Sequence, residues 1–141
     1  MRFKIILILI LIIAGFAGYG YFQAIPEADN EEEKMARIEI TPKTHDFEEI
    51  TFGDVVEYDF IVENTGNKVL EIDRIATSCP CAQAEVEKEA IEPGEEIKLF
   101  VSYDSGAMGS HGKGEQERII YVRSNDPITP QEEVIIYANV K

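Results

Sequence analysis

Residues 55–64 read VVEYDFIVEN, and this stretch decides the fold. Val56, Tyr58, Phe60 and Val62 fall on one side, while Glu57, Asp59 and Glu63 fall on the other. A period of two is the mark of an extended strand with one buried face. The stretch closes on Asn64-Thr65-Gly66-Asn67, a tight turn, because glycine and asparagine accept positive φ at low cost.

The same pattern repeats outward in both directions. Upstream lie Arg37–Pro42 (RIEITP), where Ile38 and Ile40 alternate and Pro42 ends pairing, and His45–Ile50 (HDFEEI), anchored by Phe47. Downstream, Val69–Thr77 (VLEIDRIAT) runs into a Cys79-Pro80-Cys81 corner and then Ala82–Val86. Glu92-Pro93-Gly94-Glu95 predicts a type II turn, after which Ile97, Leu99, Val101 and Tyr103 line one strand face. Asp104 to Gly114 (DSGAMGSHGKG) is glycine-rich and irregular. Arg118–Ser124, a turn at Ser124-Asn125-Asp126-Pro127 and Glu133–Val140 complete the series, the last with Val134, Ile136, Ala138 and Val140 in phase. About seven short strands separated by turns, with no amphipathic helix among them, predict an all-β, two-sheet sandwich over residues 37–141. The chain has no tryptophan, so the Cys–Trp–Cys core of antibody domains is absent.

Residues 5–22 (IILILILIIAGFAGYGYF) carry no charge and span about 27 Å as a helix, close to one hydrocarbon core. Arg2 and Lys4, in the basic end 1–4, precede this segment, and an acidic stretch at 23–36 (QAIPEADNEEEKMA) follows it as a tether. Basic residues stay cytoplasmic, so an uncleaved anchor would leave the sandwich facing the periplasm or cell exterior. The competing reading is a signal peptide and a secreted domain. Ala17, with Gly15 at −3, offers one cut site, and Ala24, with Phe22 at −3, a poorer one.

The chain carries 27 acidic and 13 basic residues, and residues 23–141 hold 27 acidic against 11 basic, a net −16. Such a surface repels phosphate backbones, so nucleic acid is not an expected partner. The charges interleave with apolar positions and read as a solvated surface.

Five pieces in order resemble one family. They are His45-Asp46-Phe47; the strand ending Glu63-Asn64-Thr65-Gly66; Thr77-Ser78-Cys79-Pro80-Cys81; and Ile91-Glu92-Pro93-Gly94-Glu95 followed by Ser124-Asn125-Asp126-Pro127. Together, over residues 38–140, they are similar to the bacterial domain-of-unknown-function 1573 family of exported immunoglobulin-like domains. The resemblance implies an immunoglobulin-like antiparallel β-sandwich in the cell envelope. It extends more loosely to interaction modules of cilia and centrosomes, and implies no chemistry. The family usually has glycine where this chain has Pro80.

Cys79 and Cys81 are the only cysteines. Three readings of the pair stand. One is a disulfide, or two packed thiols, shaping the corner; a disulfide there would close a tiny loop, so its entropic contribution is small and it opens comparatively readily. A second is thiol–disulfide exchange, opposed by Glu85 and Glu87 and by the lack of a neighbouring Lys or Arg in sequence. A third is a soft-metal site: alternation places Cys79 and Cys81 on one side, and Met108 and His111 supply a thioether and an imidazole. That donor set suits Cu(I), and less well Zn(II). Against it, Met108 also reads as a loop residue resting on the sandwich end and His111 as a solvated turn.

An enzyme is not expected. The chain has two histidines and no G-x-S-x-G elbow, its acidic runs lack calcium-loop spacing, and no glycine-rich cradle leads a strand into a helix. His45 reads as a hydrogen-bonded edge residue. The function expected is non-catalytic protein interaction in the envelope through a sheet edge or end loops.

Overall fold

The computed structural model describes residues 34–141, and nine strands follow one another in them. They are β1 (Ile38–Thr41), β2 (Thr44–Ile50), β3 (Val55–Asn64), β4 (Leu70–Thr77) and β5 (Ala82–Val86), then β6 (Ala90–Ile91), β7 (Glu96–Asp104), β8 (Gly114–Ser124) and β9 (Gln131–Val140). The basic end, the apolar segment at 5–22 and the acidic stretch as far as residue 33 lie outside the described residues. Within them, no helix is long and apolar enough to cross a membrane.

The strands form two sheets, ordered β1-β3-β7-β5 and β2-β9-β8-β4-β6. The alternation read from the sequence becomes the inner faces. In the first sheet Ile38, Ile40, Phe60, Val62, Ile97, Leu99, Val101 and Tyr103 are buried. In the second, Ile50, Leu70, Ile72, Ile91, Ile120, Val122, Val134, Ile136, Ala138 and Val140 face them. Each large aliphatic or aromatic side chain so enclosed contributes about 1.5–3 kcal/mol relative to exposure, before chain entropy offsets the sum.

Two expectations are corrected. The strands number nine rather than about seven, partly because Ala90–Ile91 is too short to show alternation yet pairs with β4 at Leu70↔Ile91. The sheets are also not wholly antiparallel: β2 runs parallel to β9, with His45 opposite Ile136. The pairing shifts register between Asp46 and Glu49, where Glu48 takes a φ of 59° and donates its N–H to Asp46 Oδ1. The chain passes from the first sheet to the second between β1 and β2, so this early segment belongs to both layers.

The sandwich has two distinct ends. Residues 35–37 enter at one, beside the close of β3 and the 124–127 turn: Thr65 donates to the Arg37 carbonyl and Ile38 to Asp126. At the other end meet the start of β3, the close of β7 (Val55↔Asp104), the start of β5 (Ala82↔Tyr103) and the close of β4 (Thr77↔Ile120).

Candidate functional site

The Cys79–Cys81 corner joins β4 of one sheet to β5 of the other. Ser78 prolongs the β4–β8 pairing, donating to the Ile119 carbonyl at 2.9 Å and accepting the Ile119 N–H on its Oγ at 3.0 Å. Ala82 N then donates to the Cys79 carbonyl at 3.1 Å, closing a four-residue turn. Pro80 holds the second position of that turn, where its fixed φ is an advantage. Neither Pro80 nor Cys81 takes a positive φ, so the corner needs no glycine. Thr77 Oγ1 lies 2.9 Å from the Cys79 carbonyl and 3.0 Å from that of Ala82, and its proton serves either.

Within the turn the two sulfurs are joined as a disulfide, with the Cα atoms 5.1 Å apart. Cys79 Sγ accepts the N–H of Cys81 at 3.1 Å. Cys81 Sγ accepts the Nε–H of Arg118 at 3.0 Å. The expectation that no cation adjoins the pair is therefore corrected: Arg118 arrives from β8, 37 positions along the chain. Its guanidinium is fixed by the Glu117 carbonyl at 2.7 Å and by Gln116 Oε1, and lies 5.6 Å from the centre of the Tyr103 ring. Burial pushes the Tyr103 phenol up; the Arg118 charge opposes that shift and Asp104 adds to it. One feature of the sequence did point to Arg118. It stands in phase with Ile120 and Val122, both fully buried, so it continues an inward-facing row.

Met108 and His111 occupy the neighbouring loop, where Gly109–Gly112 makes one turn of 3-10 helix. Both are exposed, and the polar contacts of the sulfurs go to Cys81 and Arg118 instead. With their sulfurs bonded to each other, Cys79 and Cys81 present no thiolate pair to a metal. Among the described residues no group of three or more His, Cys, Asp or Glu side chains is arranged to hold one. The loop rests on Ser105, whose buried hydroxyl accepts the N–H of Gly53 at 2.9 Å and approaches the Asp54 and Thr51 carbonyls at 2.9 and 3.1 Å. This ties the 105–112 loop to the 51–54 loop. On these touching loops and the strand start beside them Phe52, Val55 and Met108 are exposed at 37, 59 and 41 %, and Lys113 Nζ lies 5.1 Å from the centre of the Phe52 ring. The sequence reading did not single out Phe52, Val55 and Lys113 here, since no spacing or motif marks them in the sequence.

The other motif residues are builders of turns. Buried Asn64 donates from Nδ2 to the carbonyls of Lys68 and Ile91, both at 2.9 Å, while its Oδ1 accepts the Gly66 N–H at 3.0 Å. Asp126, 2 % exposed, accepts the N–H groups of Ile38, Ile128 and Thr129. Burial pushes its carboxyl up, but these donors and the nearby Arg37 charge outweigh burial and hold it below the usual range. His45, on the edge strand β2, stacks on Tyr58 at 3.6 Å and meets Phe47 edge-on at 4.6 Å.

Sheet order and the crossing of β1 and β2 between layers define an all-β, two-sheet sandwich. The chain aligns with the PapD-like domain 7 of human CEP192 (12% identity, 77% of this chain and 87% of that one, TM-score 0.56). It aligns similarly with the YadV chaperone (13%, 74% and 52%, TM-score 0.56). The family model described as Protein of unknown function (DUF1573) matches residues 38–140, and the chain belongs to that family. A protein of unknown function from Porphyromonas gingivalis W83 shares 21% identity over 74% of this chain, with a TM-score of 0.67; the match spans 46% of that longer protein. No curated protein matches the sequence.

Proposed function

We propose that the chain is a membrane-held, extracytoplasmic interaction module that binds a protein partner through the sandwich end bearing the disulfide corner. The observation that carries this reading is the gathering of Phe52, Val55 and Met108 at that end, three of the four exposed large hydrophobics of the described residues. Exposed apolar side chains on adjoining loops bury readily against a partner, and end loops vary without cost to the core. The uncharged segment at 5–22 supports the anchoring, and a disulfide supports an oxidising compartment. Residues 35–37 lie at the opposite end of the sandwich.

Crosslinking and pull-down from intact membranes test the reading. A partner recovered with the parent chain should be lost with Phe52→Asp and Met108→Asp and kept with Ile128→Asp, at an exposed position of the other end. Equal recovery with all three would overturn the choice of surface. Recovery of the chain in the cytosolic fraction would overturn the location.

A further inference from the structure

We infer that Cys79–Cys81 is a reversible two-electron redox centre, opened by attack of an external dithiol on Cys79 with Cys81 leaving beside Arg118. Three observations carry it. First, the bridge spans two positions and links no distant parts of the chain, so closing it adds little to the fold. Second, each sulfur has a donor aimed at it, and that of Cys81 is a guanidinium at 3.0 Å, locked in place by Gln116, the Glu117 carbonyl and the Tyr103 ring. Such a partner supplies nothing essential to a neutral disulfide but strongly favours a departing thiolate. Third, Cys79 is the more accessible residue, 8 % exposed against 3 % for Cys81, and the corner is a turn at one end of the sandwich.

The chemistry balances with a protein dithiol as reductant. One of its thiolates bonds to Cys79 Sγ. The Cys79–Cys81 bond breaks and its electron pair leaves on Cys81 Sγ, facing Arg118. The second thiolate then attacks its own partner sulfur in the mixed disulfide, which releases Cys79 as a thiolate that takes a proton from water. Two electrons have passed to the chain, and the dithiol has become a disulfide. The reverse sequence makes the chain a donor.

The test uses the full chain in detergent, with dithiothreitol as the probe dithiol and glutathione as the trapping thiol. Two thiols per chain should appear at millimolar dithiothreitol while near-ultraviolet circular dichroism reports a folded domain. Quenching the glutathione reaction with iodoacetamide should place glutathione on Cys79 and the alkyl group on Cys81. Arg118→Gln should slow opening about tenfold, with Arg118→Lys intermediate. A bridge that opens only when the domain unfolds, glutathione found on Cys81, or an unchanged rate in a folded Arg118→Gln chain would each overturn the inference. The trapping result stands on the parent chain alone, whether or not the variants fold.

Discussion

Asp126 Oδ2 accepts the N–H of Ile38 at 2.9 Å across 88 positions of sequence, so the turn before β9 fastens the first residue of β1. The other carboxylate oxygen accepts Ile128 and Thr129 at 2.8 and 3.1 Å. Both oxygens must therefore accept. Asp126→Asn, which replaces one oxygen by an NH2 facing an N–H, should destabilise the domain by about 1–3 kcal/mol, read from urea midpoints at neutral pH.

The same carboxylate sets an acid limit. Its native affinity for protons is lower than the ordinary value of 3.8, so the unfolded chain takes up a proton first as pH falls. The stability it contributes is complete well above that value and drains away as pH drops through it to the native pKa. Glu95 acts in the same sense, held low first by its hydrogen bond from Lys88 and then by the Glu92 N–H. Unfolding midpoints should fall steeply from pH 5 to 3 in the parent and less steeply in Asp126→Asn.

Gly66 and Gly94 are required for different reasons, which alanine substitution separates. A Cβ on Gly66 would stand 2.3 Å from the Met35 carbonyl oxygen, so Gly66→Ala must push residues 35–37 off the sandwich end. A loss of about 1–3 kcal/mol is expected, with faster hydrogen exchange at Arg37 and Asn67. Gly94 has open space around it but a φ of +76°. Gly94→Ala should cost about 1–2 kcal/mol, with no change in exchange at residues 35–37.

Removing the disulfide should leave the fold standing. Cys79→Ser/Cys81→Ser frees a loop of minimal length, and the chain-entropy relation assigns this about 1–2 kcal/mol. Denaturation of the double variant against the parent checks it, with far-ultraviolet circular dichroism unchanged before the transition.

Much of the architecture was legible because one physical rule, alternation with burial, operates within each strand. The ranges 55–64 and 82–86 coincide with β3 and β5, and the rows Ile97–Tyr103 and Val134–Val140 are buried as their phase requires. Partner choice does not leave a local trace. His45 alternates identically whether β2 runs parallel or antiparallel to its neighbour, so the β2–β9 pairing was hidden. Turn residues were legible as turns but not as bonds: Gly66 serves a close backbone approach, not a positive φ. The corner was found from its cysteines. Its cation was missed because proximity was judged along the chain, whereas Arg118 is brought by the β4–β8 pairing.

The parallel union of β2 with β9 also dictates when this molecule can become itself. The second strand has no seat until the last one exists, since Thr44 to Ile50 lie against Ile135 to Val140. A nascent polypeptide that still lacks β9 can build hairpins but cannot close the two-layered whole. Such late, long-range closure is slow compared with local collapse. The two layers therefore lock together only once Gln131–Val140 has been made, long after Thr44–Ile50 has left the ribosome.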